Sequence, residues 1–500
     1  MSWDITAVAK QWAADVGNYG LVLMSPAERA VRNYRVYPSS EDSDFNDPPK
    51  LTATFSPGGE PVVVNPAGPD GVEVIQAPAT WGQDVVQMAE PQAHALSAAF
   101  DRAAANGDKL ADPYVDMVSG QVIVPAATAD GRPIGSAALA GTAYLGYGGT
   151  DWTIPGEYSD GDTDEDGEGP TGPTELYSFN PQVPDVTSSY SKHVTIMREV
   201  LRLTSAQLPG ADGLVSARPW PERNKVLITA RAVSPELRLA LAQRYGVDSV
   251  VLRLDPNASV LGNLAGTDSR ADDNDAYING GGAFDTKAGL ECTMGFAWSL
   301  PAGRRLVTAG HCLPTGDSTG VLFSGKPDSY REYGKRVLTT WTEGTGTVIL
   351  PGKNEAQGDS ALVTTNAPIQ PTASVFIGDQ TSRTKRPVKR SWSRRSIPGD
   401  LFCAGGRYYG QHCSWKVLQS NDYFKTVGGL LDNAIGATHA SECLDAGDSG
   451  GPLYTFQSDG SVVAKGLVSS GTSSLTDCWL AFTDITTVKQ AYGGDVMKRK

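Results

Sequence analysis

The chain of 500 residues predicts a mainly β domain of two packed barrels over residues 275–494, preceded by an α/β segment. Three observations point there. The 56 glycines and 32 prolines suit a loop-rich, β-dominated protein with linkers. From residue 275 onward most apolar runs are short and alternating, and turn residues divide them, as in antiparallel barrels. Between 81 and 265, strand-like and helix-like patterns take turns. At roughly 100–200 residues per domain, the length suits about three domains and a large core.

Taken in order, Asp4-Ile5-Thr6, Asn18-Tyr19-Gly20-Leu21-Val22-Leu23 and Leu51-Thr52-Ala53-Thr54-Phe55 alternate like strands of a sandwich. Residues 57–80 are rich in proline and glycine and read as a linker. Ala93 to Ala105 is helical in character, and Tyr114 to Val124 reads as a hairpin turning at Ser119-Gly120. An acidic linker occupies 156–176. Within it, Asp162-Thr163-Asp164-Glu165-Asp166-Gly167 imitates the start of a calcium loop, but Pro173 stands where a bidentate glutamate is needed. A solvated acidic stretch is the better reading. Thr195 to Leu203 and Pro235 to Tyr245 read as helices; Asn224 to Ile228 and Ser249 to Leu252 read as strands. Residues 254–282, with Gly280-Gly281-Gly282, form a boundary. Val462 to Val468 reads as a strand and Ile485 to Tyr492 as a closing helix.

The formal charge of −14 argues against a general nucleic-acid binder. No apolar run is long enough to cross a bilayer. Met1-Ser2-Trp3-Asp4 opens no basic-then-apolar stretch, so no secretion signal is visible. Lys385, Arg386, Lys389, Arg390, Arg394 and Arg395 form a basic cluster, read as a solvated loop, with an exosite for acidic partners as the other reading.

The chemistry concentrates in Gly447-Asp448-Ser449-Gly450-Gly451-Pro452. Glycine permits backbone conformations closed to other residues. Such a loop can expose the Ser449 hydroxyl beside the amides of Gly447 and Ser449, which gives a nucleophile and two oxyanion donors. A serine hydroxyl also needs an imidazole to take its proton and a carboxylate to orient that imidazole. Thr308-Ala309-Gly310-His311-Cys312 supplies the imidazole. Gly358-Asp359-Ser360-Ala361-Leu362-Val363 supplies the carboxylate at the head of an apolar strand, with Asp328 and Asp400 as the other acids considered. His412 and His439 lack the context of His311. The order His311, Asp359, Ser449 is that of chymotrypsin-like enzymes, not of subtilisins or α/β-hydrolases.

On these motifs, about Asp275 to Gly494 resembles the trypsin/chymotrypsin-like serine proteases, in detail the bacterial streptogrisin branch. Glu291-Cys292-Thr293-Met294-Gly295-Phe296 resembles that branch's first cysteine strand, and Cys403-Ala404-Gly405-Gly406-Arg407 to Cys413 its short cysteine loop. Gly466-Leu467-Val468-Ser469-Ser470-Gly471 resembles its substrate-binding strand. The resemblance implies two six-stranded antiparallel barrels with the catalytic groups in the cleft between them. Six cysteines allow 15 pairings. The resemblance selects Cys292–Cys312, Cys403–Cys413 and Cys443–Cys478, each contributing roughly 3–4 kcal/mol. Disulfides imply an oxidising compartment, so a secreted, extracellular protein is expected, with the start read as truncated or misassigned. Residues 1–56 resemble the end of a DNRLRE-type β-sandwich and are read as a partial domain. Residues 81–265 resemble the α/β pro-regions that precede such proteases, which implies a zymogen.

The function implied is a serine endopeptidase acting on protein or peptide substrates as a monomer, with no metal or cofactor. Ser449 attacks, His311 moves the proton, Asp359 orients His311, and Gly447 and Ser449 hold the oxyanion. Asp448 is expected to support the activation pocket. Glu442, Leu444, Ser469, Ser470 and Gly471 are expected at the substrate pocket. The alternative is a non-catalytic surface or binding protein that retains the fold.

Overall fold

The computed structural model describes residues 61–499 except 78–84, 86–87, 117–118, 144–174, 259–276, 287–288, 315–320, 325–330, 368, 440–442, 458 and 475–476. The sandwich expected over 1–56 lies outside the described residues, as does the acidic linker up to residue 174.

The N-terminal segment is α/β. Its sheet runs β1 (Val62–Asn65), β2 (Glu73–Gln76), β5 (Val250–Leu254), β4 (Lys225–Ala230) and β3 (Leu214–Trp220). Residues 61–77, expected as linker, therefore supply two strands. Val72, Val74 and Ile75 are buried, and that apolar pairing outweighs the proline and glycine around them. Three helices pack here: α1 (Glu90–Ala105), α2 (Tyr190–Val200) and α3 (Pro235–Tyr245). Ser189 and Ser234 cap α2 and α3 by accepting from Lys192 N and Leu237 N, and Pro235 occupies the first turn of α3. α2 starts before the expected Thr195 because its cap lies at Ser189.

The first barrel uses β6 (Ala283–Thr286), β7 (Glu291–Thr293), β8 (Phe296–Leu300), β9 (Gly303–Thr308), β10 (Val321–Ser324), β11 (Arg331–Thr339) and β12 (Ala361–Thr365). The ladder runs β7-β6-β10-β11-β12-β9-β8. Its ends are two halves of one interrupted strand. Met294 N donates to Gly282 O on one side, and Gly295 N donates to Val307 O on the other. The sheet thus curls back on itself with six strand positions.

The second barrel closes by pairing alone. Its ring is β13 (Leu401–Gly406), β14 (Gly410–Thr426), β15 (Gly429–His439), β18 (Asp477–Asp484), β17 (Val462–Ser474) and β16 (Pro452–Phe456), which returns to β13. Phe402, Trp415, Leu453, Leu480 and Phe482 fill it. α4 (Ile485–Tyr492) follows, capped by Asp484. The three expected disulfides are present.

The segment docks on the second barrel twice. β3 adds to β14, with Ala217 opposite Tyr423 and Ser216 opposite Phe424. On α1, Glu90 accepts two hydrogen bonds from Arg394, at 2.8 and 2.9 Å, and Ser97 Oγ accepts from Arg395 N. This corrects the reading of the basic cluster as a solvated loop. Arg386, Arg394 and Arg395 are buried, and Arg394 also binds Asp400. Burial of such guanidinium groups is favourable only with partners of this kind.

Candidate functional site in the cleft between the barrels

His311 follows β9, whose Leu306 and Val307 pair with Val363 and Leu362 of β12. That pairing brings the turn at Gly358–Ser360 alongside. His311 N donates to Asp359 Oδ1 at 2.8 Å, and its Nδ1 lies 2.6 Å from Oδ2. Asp359 is 1 % exposed, and its amide donates to Thr483 Oγ1 of β18 at 2.8 Å. Both carboxylate oxygens are therefore occupied by one histidine, which sets the imidazole's orientation. Burial depresses the His311 pKa. The Asp359 charge, its hydrogen bond and the more distant Glu343 charge outweigh that, and the pKa stands above the ordinary 6.5. Trp341 packs edge-on to the imidazole at 5.8 Å.

Ser449 comes from the second barrel, in the loop before β16. The Cys312 sulfur, bonded to Cys292, lies 3.9 Å from His311 Nε2 and 3.9 Å from the Ser449 carbonyl oxygen, and Ser449 Oγ makes no direct hydrogen bond to His311. Thr293 of β7 pins the loop. Its amide donates to Ser449 O at 2.8 Å and its hydroxyl to Gly447 O at 2.6 Å. Gly447 adopts φ +94°, and a Cβ there would meet the Tyr408 ring at 2.3 Å, so only glycine fits. The amides of Gly447 and Ser449 make no hydrogen bond to any described residue. They remain donors in reserve.

Asp448 turns inward. Its carboxylate accepts from Tyr408 N and Asp445 N, both at 2.9 Å, and it is fully buried. Burial pushes its pKa up to about 6 against the pull of those backbone donors. Asp400, weighed earlier as a rival to Asp359, is engaged by Arg394 and Lys465 instead; Asp328 lies outside the described residues.

Of the expected substrate contacts, Ser469 and Ser470 line a groove with His311, Asp359, Leu290, Trp341, Glu343 and the residues Thr426–Gly428. Gly471 continues the same strand, β17. Leu444 departs from the expectation: it is 6 % exposed and packs into the apolar cluster of the second barrel. Glu442 lies outside the described residues. Thr293, Trp341 and Thr483 were not singled out from the sequence. Thr293 adjoins Cys292 in a motif already quoted, so its signal was available; Trp341 and Thr483 had none, because tertiary packing alone brings them here.

The family model for trypsin matches residues 291–491, the stretch that carries this cleft. Residues 291–491 are a trypsin-like serine protease domain. Streptogrisin-C of Streptomyces griseus is 27 % identical over 274 residues, a match that covers 54 % of this chain and 49 % of that protein. The chain thus spans about half the length of this curated relative. Among solved structures, a glutamic acid-specific serine protease aligns at 20 % identity, covering 44 % of this chain and all of its own, with a TM-score of 0.34. The Nocardiopsis protease aligns at 21 % with the same coverage and a TM-score of 0.33. The matched stretch holds all six cysteines and every strand named for the two barrels except β6, and none of the cysteines is free. Among the described residues no helix is long and apolar enough to cross a membrane.

Proposed function

We propose that the chain is a secreted serine endopeptidase, made as a zymogen, in which Ser449, His311 and Asp359 form the triad. The observation that carries this reading is the two-point grip of Asp359 on His311, with the Cys312 sulfur 3.9 Å from both the imidazole Nε2 and the Ser449 carbonyl oxygen. Ser449 Oγ attacks a peptide carbonyl, and His311 takes the hydroxyl proton. Asp359 stays ionised and stabilises the imidazolium. The carbonyl oxygen becomes an oxyanion held by the amides of Gly447 and Ser449; losing one such donor costs about 2.7–4 kcal/mol in typical cases. The amine leaves with the His311 proton, and water hydrolyses the acyl-enzyme by the same relay. The raised His311 pKa suits a base that must hold the proton between these steps.

In this reading residues 61–258 act as the pro-region. Support comes from the strand addition of β3 to β14 and from the Glu90–Arg394 pair, which tie the segment to the barrel that carries Ser449. Secretion is supported by the three disulfides, which suit an oxidising compartment. The test is labelling of the expressed chain by a fluorophosphonate probe. Labelling is expected once the pro-region has been cleaved away, with loss in Ser449→Ala; a folded, disulfide-bonded chain that labels neither before nor after that cleavage would favour a binding protein that retains the fold.

A further inference from the structure

The groove beside His311 holds a charge that the triad does not use. Glu343 lies in the exposed turn after Trp341, lines the groove, and forms no ion pair with any described residue. The other carboxylate there, Asp359, has both oxygens taken up by His311. Among the described residues no lysine or arginine lines the groove, and its remaining walls include apolar Leu290, Trp341, Val427 and Leu431.

The turn that carries Glu343 is held rigidly. Gly344 N donates to Gly428 O at 3.1 Å, and Leu430 N donates to Thr345 O at 3.2 Å, so the turn is bonded to the tip of the β14–β15 hairpin. Two glycines permit this approach. A Cβ on Gly346 would meet the Leu430 backbone at 2.1 Å, and one on Gly429 would meet Gly346 N at 2.3 Å. A carboxylate at the rim of an apolar groove, on a turn fixed across both barrels, fits a side chain with an aliphatic stem and a cationic head.

We infer that this groove receives a lysine or arginine side chain of the substrate, from the residue on the amino side of the one whose bond is cut, and that Glu343 is the residue that selects it. The inference rests on the proteolytic reading above. Ser469 and Ser470, on the strand expected to pair with substrate backbone, share the groove with Glu343 and His311, which places the cation beside the scissile bond. An acidic side chain there would meet an unpaired like charge.

The test uses the form of the full chain that reacts with a fluorophosphonate probe. Peptides that differ only at that position carry Lys, Arg, Ala or Glu. The expected kcat/KM for Lys and Arg exceeds that for Ala by roughly five- to tenfold, mostly through KM, and exceeds that for Glu by more. Glu343→Gln is expected to erase the preference by bringing kcat/KM for the Lys and Arg peptides down to that of the Ala peptide, and Glu343→Lys to invert it toward Glu. Absence of labelling overturns the proteolytic reading and this inference with it. Labelling with a flat or acid-preferring profile, or a preference retained in both variants, overturns the inference alone.

Discussion

Among the described residues, two histidine–aspartate pairs have nearly the same geometry. His311 Nδ1 lies 2.6 Å from Asp359, and His193 Nδ1 of α2 lies 2.5 Å from Asp112. The His311 side chain is 18 % exposed in the cleft and its Nε2 looks toward the Cys312–Ser449 side. His193 is fully buried, its Nε2 has no partner, and neither has Asp112 Oδ1. Asp359, by contrast, has both oxygens engaged by His311. A paired imidazole and carboxylate therefore do not make a site. The proposed site also needs access, a nucleophile and free amide donors, and among the described residues the cleft beside His311 and the unbonded amides of Gly447 and Ser449 meet that need, whereas His193 is fully buried. The second pair joins α2 to the stretch before Tyr114 inside the N-terminal segment.

The comparison breaks most visibly through the acids. Asp359→Asn keeps the shape but permits the wrong imidazole tautomer, and kcat on a peptide substrate is expected to fall by roughly 10⁴-fold. His193→Ala leaves Asp112 as an uncompensated buried carboxylate and is expected to destabilise the segment by roughly 3–5 kcal/mol, read from the denaturant midpoint. The rate of Ser449 labelling per folded molecule should stay within about twofold of the parent chain. A collapse of labelling in the folded His193 variant would show that the remote pair feeds the cleft.

The sequence already carried the working pair and not the silent one. His311 stands in a short motif after an apolar strand, and Asp359 opens the strand that pairs with it, so local pattern and chemistry agreed. His193 lies inside a helix, and Asp112, 81 positions before it, has no motif. Only the packing of α1, α2 and the Tyr114–Ile123 hairpin brings the two together. The same limit explains the other departures. Residues 61–77 looked like linker because β5, the strand that ties β2 into the sheet, comes much later in the chain. Arg394 and Arg395 looked solvated because their partners, Glu90 and Ser97, lie about 300 positions upstream. Caps and motifs are local; counter-ions and sheet edges are not.

The contact between segment and domain offers a smaller perturbation. Arg394 is held by both Glu90 and Asp400, so Glu90→Gln keeps it buried with one anion. Burial opposes ionisation of Asp400, yet Arg394 and Lys465 lower its pKa to about 2. The sign follows: its folded value lies below the unfolded one, so this stabilisation is present above the ordinary 3.8 and is lost as pH falls through about 2. Glu90→Gln is therefore expected to loosen α1 by roughly 1–3 kcal/mol at neutral pH, seen as faster hydrogen exchange in α1. The exchange of β12 should not change.

The subtlest separation of the two pairs is by pH. Peptide hydrolysis needs neutral His311, and its pKa lies above 6.5, so kcat/KM should fall as pH drops through a value above the ordinary histidine range. The stability sign is opposite. A raised folded pKa stabilises the protein below the unfolded value and loses that contribution as pH rises through the folded one, so the domain is held best where it is least active. Glu343 is one of the charges that raise the His311 pKa. Glu343→Gln should therefore move the acid limb to lower pH, by less at high salt, because the charge acts from an exposed turn. A His193 variant should leave that limb in place, since neither His193 nor Asp112 is among the groups that shift the His311 pKa. A limb that shifts with His193 and ignores Glu343 would reverse the assignment of the two pairs.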